Sequence, residues 1–295
     1  LKKKARKREK MSQLNFYDLE PEYSSWDSSK AVILSAPYEA TVTYRSGAAK
    51  GPEAIIRASG QVELYDEELK KETYKIGINT LDELELADLC PEEMIEVIYR
   101  AGARVIKAEK FPVLLGGEHT VSIGMVRALK ERYPDLTVIQ FDAHADLRDK
   151  YEGSSFNHAC TGRRLRELAP VIPMGVRNLS KEGAEFIDKS GIKIIFARQL
   201  IEQPQTAKDV ISSLGKNIYI TLDLDVLDPS VMPAVGTPEP GGLSWYGMLQ
   251  LFSLIASTKQ VVGFDVVELA PIPDEIYSDF LAAKLVYRLL GYIFK

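Results

Sequence analysis

The sequence predicts an α/β fold, a mostly parallel β-sheet with helices packed on both faces. Three observations carry this. Short, unbroken apolar runs such as 31–36 (AVILSA), 111–115 (FPVLL) and 261–267 (VVGFDVV) read as strands buried on both faces. Stretches with apolar residues at helical spacing alternate with these runs at least six times. No internal repeat, low-complexity linker or composition break divides residues 11–295, so a single domain is expected there. A closed (β/α)8 barrel shares this rhythm, and these observations do not separate it from an open sheet.

In order along the chain, residues 12–30 read as a polar, irregular lead-in. Residues 31–36 form the first strand. A Gly/Pro-punctuated loop, 37–51, precedes a helix that Pro52 opens, since proline suits a first helical turn. Residues 74–78 are a short edge strand. Pro91-Glu92-Glu93 starts a long amphipathic helix with Ile95, Ile98, Ala101, Val105 and Ile106 on its apolar face. The strand 111–115 ends in Gly116-Gly117-Glu118-His119, followed by a helix over 121–132 and a strand over 136–141. Strands at 170–176, 193–196, 218–224 and 261–267 then alternate with helices at 181–189, 206–214, 244–257 and 279–293. Ser244 has the side chain to cap its helix.

Composition excludes several classes. The charged content of 27% and hydrophobic content of 45% are ordinary for a globular chain. No apolar run reaches the roughly 18 residues of a membrane span. Residues 1–10 hold seven Lys/Arg and one Glu, so without them the formal charge falls from −5 to −11. The body is therefore acidic and offers nucleic acid no general basic surface. Met11 is a candidate natural start, which would make 1–10 an artefact of expression or of an upstream start. A disordered basic tail is the alternative. No apolar segment follows that head, so no secretory leader is read. Two cysteines, Cys90 and Cys160, form no disulfide framework and point to a reducing, cytoplasmic compartment.

Ligand-type residues gather at three predicted strand ends. They are His119, then Asp142, His144 and Asp146, then Asp223 and Asp225. If the chain stays extended past 141, residues 142, 144 and 146 point to one side, as do 223 and 225. The carboxyl ends of parallel strands are where such sheets bind ligands. A polar loop with capping Asp residues explains one of these positions and not the joint pattern. Several carboxylates at the end of a buried sheet are costly unless paired or metal-bound. Asp and His without thiolates suit hard or borderline divalent ions. Six ligands are too many for one ion that keeps a water. They suit two ions about 3.5–4 Å apart, with Asp142 and Asp223 bridging.

These residues stand in segments that resemble the ureohydrolases, the family of arginase and agmatinase. Four segments carry the resemblance, namely Gly116-Gly117-Glu118-His119, Asp142-Ala143-His144-Ala145-Asp146, Asp223-Leu224-Asp225-Val226-Leu227-Asp228-Pro229 with Gly236-Thr237-Pro238-Glu239-Pro240-Gly241-Gly242, and Gly263-Phe264-Asp265-Val266-Val267-Glu268. Their order and spacing agree over about residues 31–290. The resemblance implies a three-layer αβα, arginase-type fold with an eight-stranded sheet, and a homo-oligomer, trimer or hexamer. It implies two Mn2+ per chain, one on His119, Asp142, Asp146 and Asp223, the other on Asp142, His144, Asp223 and Asp225. It gives Glu268 and Asn157 to substrate binding, His158 to substrate contact and proton shuttling, and makes Asp146 the carrier of a proton to the leaving amine.

The chemistry implied is hydrolysis of a guanidinium to urea and an amine. A guanidinium stays protonated at working pH and needs a strong nucleophile. The short loop Ser154-Ser155-Phe156-Asn157-His158-Ala159-Cys160 is similar to agmatinases, as is the segment from Ala36-Pro37-Tyr38 to Gly51-Pro52-Glu53. Asn178-Leu179-Ser180 carries no Asp of the kind arginases use. The expected substrate is agmatine, giving putrescine. Arginase or another guanidino-acid hydrolase, a two-metal phosphoesterase and a non-catalytic scaffold are the alternatives. Two departures from the family pattern are Pro233-Ala234-Val235-Gly236, which lacks a usual glycine, and Ala270, where an Asn is usual. Cys160 is expected to pack, since nothing near it favours a thiolate.

Overall fold

The computed structural model describes residues 14–295; the basic head at 1–10 lies outside the described residues. Its strands are β1 (Ala31–Ala36), β2 (Tyr65–Asp66), β3 (Lys71–Glu72), β4 (Ile78–Thr80), β5 (Phe111–Gly116), β6 (Thr137–Phe141), β7 (Val171–Val176), β8 (Ile195–Phe196), β9 (Asn217–Asp223) and β10 (Gln260–Val267). Its helices are α1 (Pro21–Ser24), α2 (Gly51–Ser59), α3 (Pro91–Lys107), α4 (Ser122–Arg132), α5 (Thr161–Leu168), α6 (Lys181–Ser190), α7 (Ala197–Glu202), α8 (Pro204–Ser213), α9 (Trp245–Thr258) and α10 (Tyr277–Ile293). Eight strands make one sheet in the order β4-β1-β5-β10-β9-β6-β7-β8. Every neighbouring pair in it is parallel. With β4 and β8 as its edges the sheet is open, not a barrel.

Alternation along the strands builds the two outer layers. On β1, Ala31 and Ile33 face a core completed by Ile55 of α2, Phe252 of α9 and Leu289 of α10. Val32, Leu34 and Ala36 face the other core, against Ile98 of α3 and Val126 and Leu129 of α4. Each such side chain, taken fully from water, contributes about 1.5–3 kcal/mol before the entropy of ordering is set against it. The strands therefore read as continuous apolar runs because both of their faces are covered.

Several local expectations change, and helix α5 and the β2–β3 hairpin have no counterpart in the sequence reading. The lead-in contains α1 and a 3-10 turn at Phe16–Asp18, whose Phe16 is fully buried with its N–H on Thr80 Oγ1. The edge strand expected at 74–78 is instead a 3-10 turn, Thr73–Ile76, followed by β4. Gly77 separates the two with φ of 78° and passes against the backbone of Ser28 and Ser29, where a Cβ would have no room. Helix α7 has no counterpart in the sequence reading. It starts directly after the two-residue β8 and is announced only by Gln199, whose Oε1 accepts the Phe196 N–H. Ser244 does cap α9, accepting from Gly247 N at 3.1 Å.

Candidate metal centre

Strands β5, β10, β9 and β6 are consecutive at the middle of the sheet. Their carboxyl ends lead, respectively, into His119, Glu268, Asp223–Asp225 and Asp142–Asp146. Adjacency in the sheet is what brings together residues up to 149 positions apart, as when the His119 N–H donates to Glu268 Oε1 at 2.7 Å. Gly117 makes the approach possible. Its N–H bonds Ala36 O, and a Cβ there would lie 2.1 Å from Tyr38 O.

The aspartates converge, but not through strand alternation. Asp142 Oδ1 accepts the His144 N–H at 2.5 Å, and Asp146 sits in the left-handed region at φ 51°. Asp223 Oδ1 accepts the Asp225 N–H at 2.8 Å and starts a 3-10 turn, Leu224–Val226. Short polar side chains bond the backbone two residues on, and these turns aim the carboxylates. The result is compact. His119 Nδ1 lies 3.2 Å from Asp142 Oδ2, and 3.4 Å from Asp146 Oδ2 and from Asp223 Oδ2. His144 Nδ1 lies 2.8 Å from Asp225 Oδ2 and 3.6 Å from Asp142 Oδ1. Two ligand groups follow, His119–Asp142–Asp223 and Asp142–His144–Asp225, with the ligand atoms of each within 4.8 Å of one another.

Without cations the cluster is electrostatically crowded. Burial pushes the Asp223 carboxyl well up, and Asp225 and Asp142 add to it. Burial and then Asp142 raise Asp146. Burial opposes ionisation of Asp142, but His119 and His144 overcome it and hold that carboxyl below the usual range. Burial works against a charged His144, yet Asp225 and Asp142 push it up to about 12. His119 is likewise raised against its burial by Asp142, Asp146 and Asp223. The metal-free chain thus holds protons where cations would sit. His119 Nδ1 is within ion-pair distance of three carboxylates, but none is aligned to accept a hydrogen bond from it, and it is buried without a partner. Oxygen and imidazole donors around an orphaned nitrogen fit a pair of divalent cations.

The remaining expected residues divide. Glu268, at φ 67°, and His158 line the cleft above the cluster together with Thr43, Tyr44 and Tyr151. Burial pushes the Glu268 carboxyl up to about 8, with Glu118 adding to the shift. Asn157 does not line that cleft. It is buried, and its Oδ1 accepts the Ala159 N–H at 3.0 Å, so it caps the turn that carries His158. Cys160 is free and buried, and burial, then Asp146, pushes its thiol up to about 11, as a packing role requires. The two departures from the family pattern touch. Ala270 is buried, donates to Ala234 O, and brings its methyl within reach of Gly47.

Sequence reasoning missed the supports. Glu118, fully buried, accepts from Ala40 N, Thr41 N and Thr41 Oγ1, and Thr41 Oγ1 accepts the His158 N–H at 2.9 Å. Gln140 Nε2 donates to Asp142 Oδ2 at 2.8 Å. The Arg177 guanidinium donates to the carbonyls of Gly175, Asp225, Val226, Leu227, Glu239 and Pro240. Adjacency to a ligand was the available signal for Glu118 and Gln140. For Arg177 it was a cation placed straight after a buried strand.

Comparison with known proteins gives the family. Residues 29–291 match the family model described as the arginase family. A curated relative from Synechocystis sp., named N(1)-aminopropylagmatine ureohydrolase, is 41% identical over 277 residues, 91% of this chain and 90% of that one. An agmatinase from Pyrococcus horikoshii is 33% identical over 267 residues, covering 88% and 90%. The solved agmatine ureohydrolase of Thermoplasma volcanium superposes with a TM-score of 0.85 at 30% identity, covering 92% of each chain. A match that runs through all eight strands of the main sheet and every ligand-bearing turn makes this chain a member of the arginase family of ureohydrolases, enzymes that hydrolyse guanidino C–N bonds.

Proposed function

We propose that the chain is a two-metal ureohydrolase of guanidinoalkylamines, with agmatine as substrate and urea and putrescine as products. The observation that carries this is the pair of ligand groups sharing Asp142 at the floor of a cleft whose wall carries Glu268. In this reading His119, Asp142, Asp146 and Asp223 hold one cation, and Asp142, His144, Asp223 and Asp225 hold the other. Manganese is the cation proposed. Two such ions supply Lewis acidity and a water that ionises near pH 7.

The chain's own groups do the rest. Glu268 presents a carboxylate from a pocket that raises its proton affinity, and a guanidinium entering there replaces that proton with a charge-assisted pair. Asp146, which lines the same cleft, is the carboxyl we assign to carrying a proton to the leaving amine. His158, held by Thr41 at the cleft wall, exchanges protons with solvent. Assembly as a homo-oligomer, trimer or hexamer, and a place in the cytoplasm complete the reading. Among the described residues no helix is long and apolar enough to cross a membrane.

A second substrate is favoured by one observation. The Synechocystis relative, at 41% identity, is named for N(1)-aminopropylagmatine. That substrate keeps the guanidinium and adds an aminopropyl arm, so the same metal floor and Glu268 would serve it and only the cleft mouth would differ. Urea release from agmatine, N(1)-aminopropylagmatine, arginine and guanidinobutyrate decides among them. The highest kcat/KM belongs to one of the two amines. If arginine or guanidinobutyrate leads, the proposed substrate class is wrong.

A further inference from the structure

Asp265 is a fully buried carboxylate on β10, outside both ligand groups. It stands directly across from Thr221 of β9 in the parallel register. Three donors converge on it: Tyr219 Oη at 2.6 Å, Thr221 Oγ1 at 2.7 Å and Leu222 N at 3.2 Å. Thr221 Oγ1 in turn lies 2.9 Å from His119 Nε2 and 3.1 Å from Ser122 Oγ. All of these groups except Leu222 N belong to buried polar side chains, inside a sheet where water does not compete.

The directions of these bonds follow from counting protons. A threonine hydroxyl has one proton to give. With that proton on Asp265, Oγ1 has only lone pairs left to offer His119, so Nε2 is the ring nitrogen that carries a hydrogen. A neutral imidazole protonated at Nε2 has its lone pair at Nδ1. Nδ1 is the atom left without a hydrogen-bond partner among Asp142, Asp146 and Asp223. We propose that Asp265, acting through Thr221, fixes the ring plane and tautomer of His119 so that Nδ1 faces a divalent cation. Asp265 and Thr221 are positioning residues, because neither touches the cation or the substrate. A carboxylate behind a metal-binding histidine is a common support, and here a threonine hydroxyl is inserted between them.

The inference rests on the metal-site reading, and one experiment separates their fates. The full chain is stripped with chelator and titrated calorimetrically with Mn2+ alone. Wild type takes up two ions. In Thr221→Val the affinity of one site falls about 10- to 100-fold, the scale of lost outer-shell partners, while the other site is unchanged. Asp265→Asn weakens the same site, and Thr221→Ser, which keeps the hydroxyl, restores it. Wild-type affinity at both sites in Thr221→Val and Asp265→Asn would overturn the inference and leave the metal reading standing. No Mn2+ uptake by wild type would overturn both. A second measurement needs no variant. With only three histidines in the chain, the ring 15N resonances of the zinc-loaded wild type are few. His119 shows a protonated Nε2 and a ligated Nδ1; ligation through Nε2 would overturn the proposal.

Discussion

Asp142 is the one carboxylate that faces both histidines, with one oxygen 3.2 Å from His119 Nδ1 and the other 3.6 Å from His144 Nδ1. Its removal takes the shared candidate ligand from both groups that could hold a cation. Asp142→Ala is expected to bind well under one Mn2+ per chain by elemental analysis. Its urea release should fall by more than about 100-fold, since loss of outer-shell partners alone costs about 10- to 100-fold. In the proposed function Glu268, which lines the cleft and stands outside both candidate ligand groups, binds substrate and not metal. Glu268→Gln should keep the full complement of Mn2+ and lose kcat/KM by about 10- to 100-fold, the equivalent of the roughly 1.5–3 kcal/mol of a hydrogen bond to a charged group. Metal loss in that variant would move Glu268 into the metal cluster. At this scale the convergence of the ligand-type residues was legible, because His119, His144 and paired aspartates at strand ends are rare enough to read. Their orientation was not. The Asp142 and Asp223 turns depend on side-chain-to-backbone bonds, which residue spacing along an extended chain does not reveal.

Loops, not strands, hold the centre's shape, and Arg177 ties them. Its guanidinium collects carbonyls from the end of β7, from the turn after β9 and from residues 239–240, including the carbonyl of the candidate ligand Asp225. Burial disfavours its charge, so the cation is kept there by those carbonyls and by Asp225 and Asp142. A lysine has three donors in place of five and no planar fork. Arg177→Lys therefore leaves carbonyls without partners at about 1–3 kcal/mol each. The expected loss is about 2–4 kcal/mol in urea unfolding, with weaker Mn2+ binding as the β9 turn loosens. Unchanged stability would mean that water replaces the guanidinium. Elements of this kind mark where sequence reading stopped. Strands β1, β5, β6, β7, β9 and β10 and helices α3, α9 and α10 were legible because burial on both faces writes an unbroken apolar run into the strands and burial on one face writes a helical period into the helices. Helix α7, six residues long, and the turn before β4 were not, because tertiary contacts such as Gly77 against Ser28 set them.

Across the whole molecule, the sheet concentrates buried acids at the carboxyl ends of its central strands, and this sets how the metal-free chain responds to pH. Glu268 is raised to about 8, His144 to about 12, and His119, Asp146 and Asp223 are raised as well. Each raised group binds protons more tightly in the folded chain than in the unfolded one. The sign is then fixed, because stability falls with rising pH wherever the native state holds more protons. For the acids the loss starts above the ordinary carboxylate range, near pH 4, and for Glu268 runs to about 8. For the histidines it starts near pH 6.5, and for His144 runs to about 12. Within the cluster Asp142 is the lowered group, and its opposite contribution is confined below pH 4. Chelated protein should therefore melt at progressively lower temperature from pH 5 to pH 9. Cations compete with those protons for the same atoms, so loading with Mn2+ should release protons and flatten or reverse the trend. At about 1,000 times the dissociation constant, each ion adds about 4 kcal/mol, and the gap between loaded and chelated protein should widen as pH rises. A chelated chain that gained stability between pH 5 and 8 would mean that the cluster is neutralised by something other than the protons on His119, His144 and Glu268.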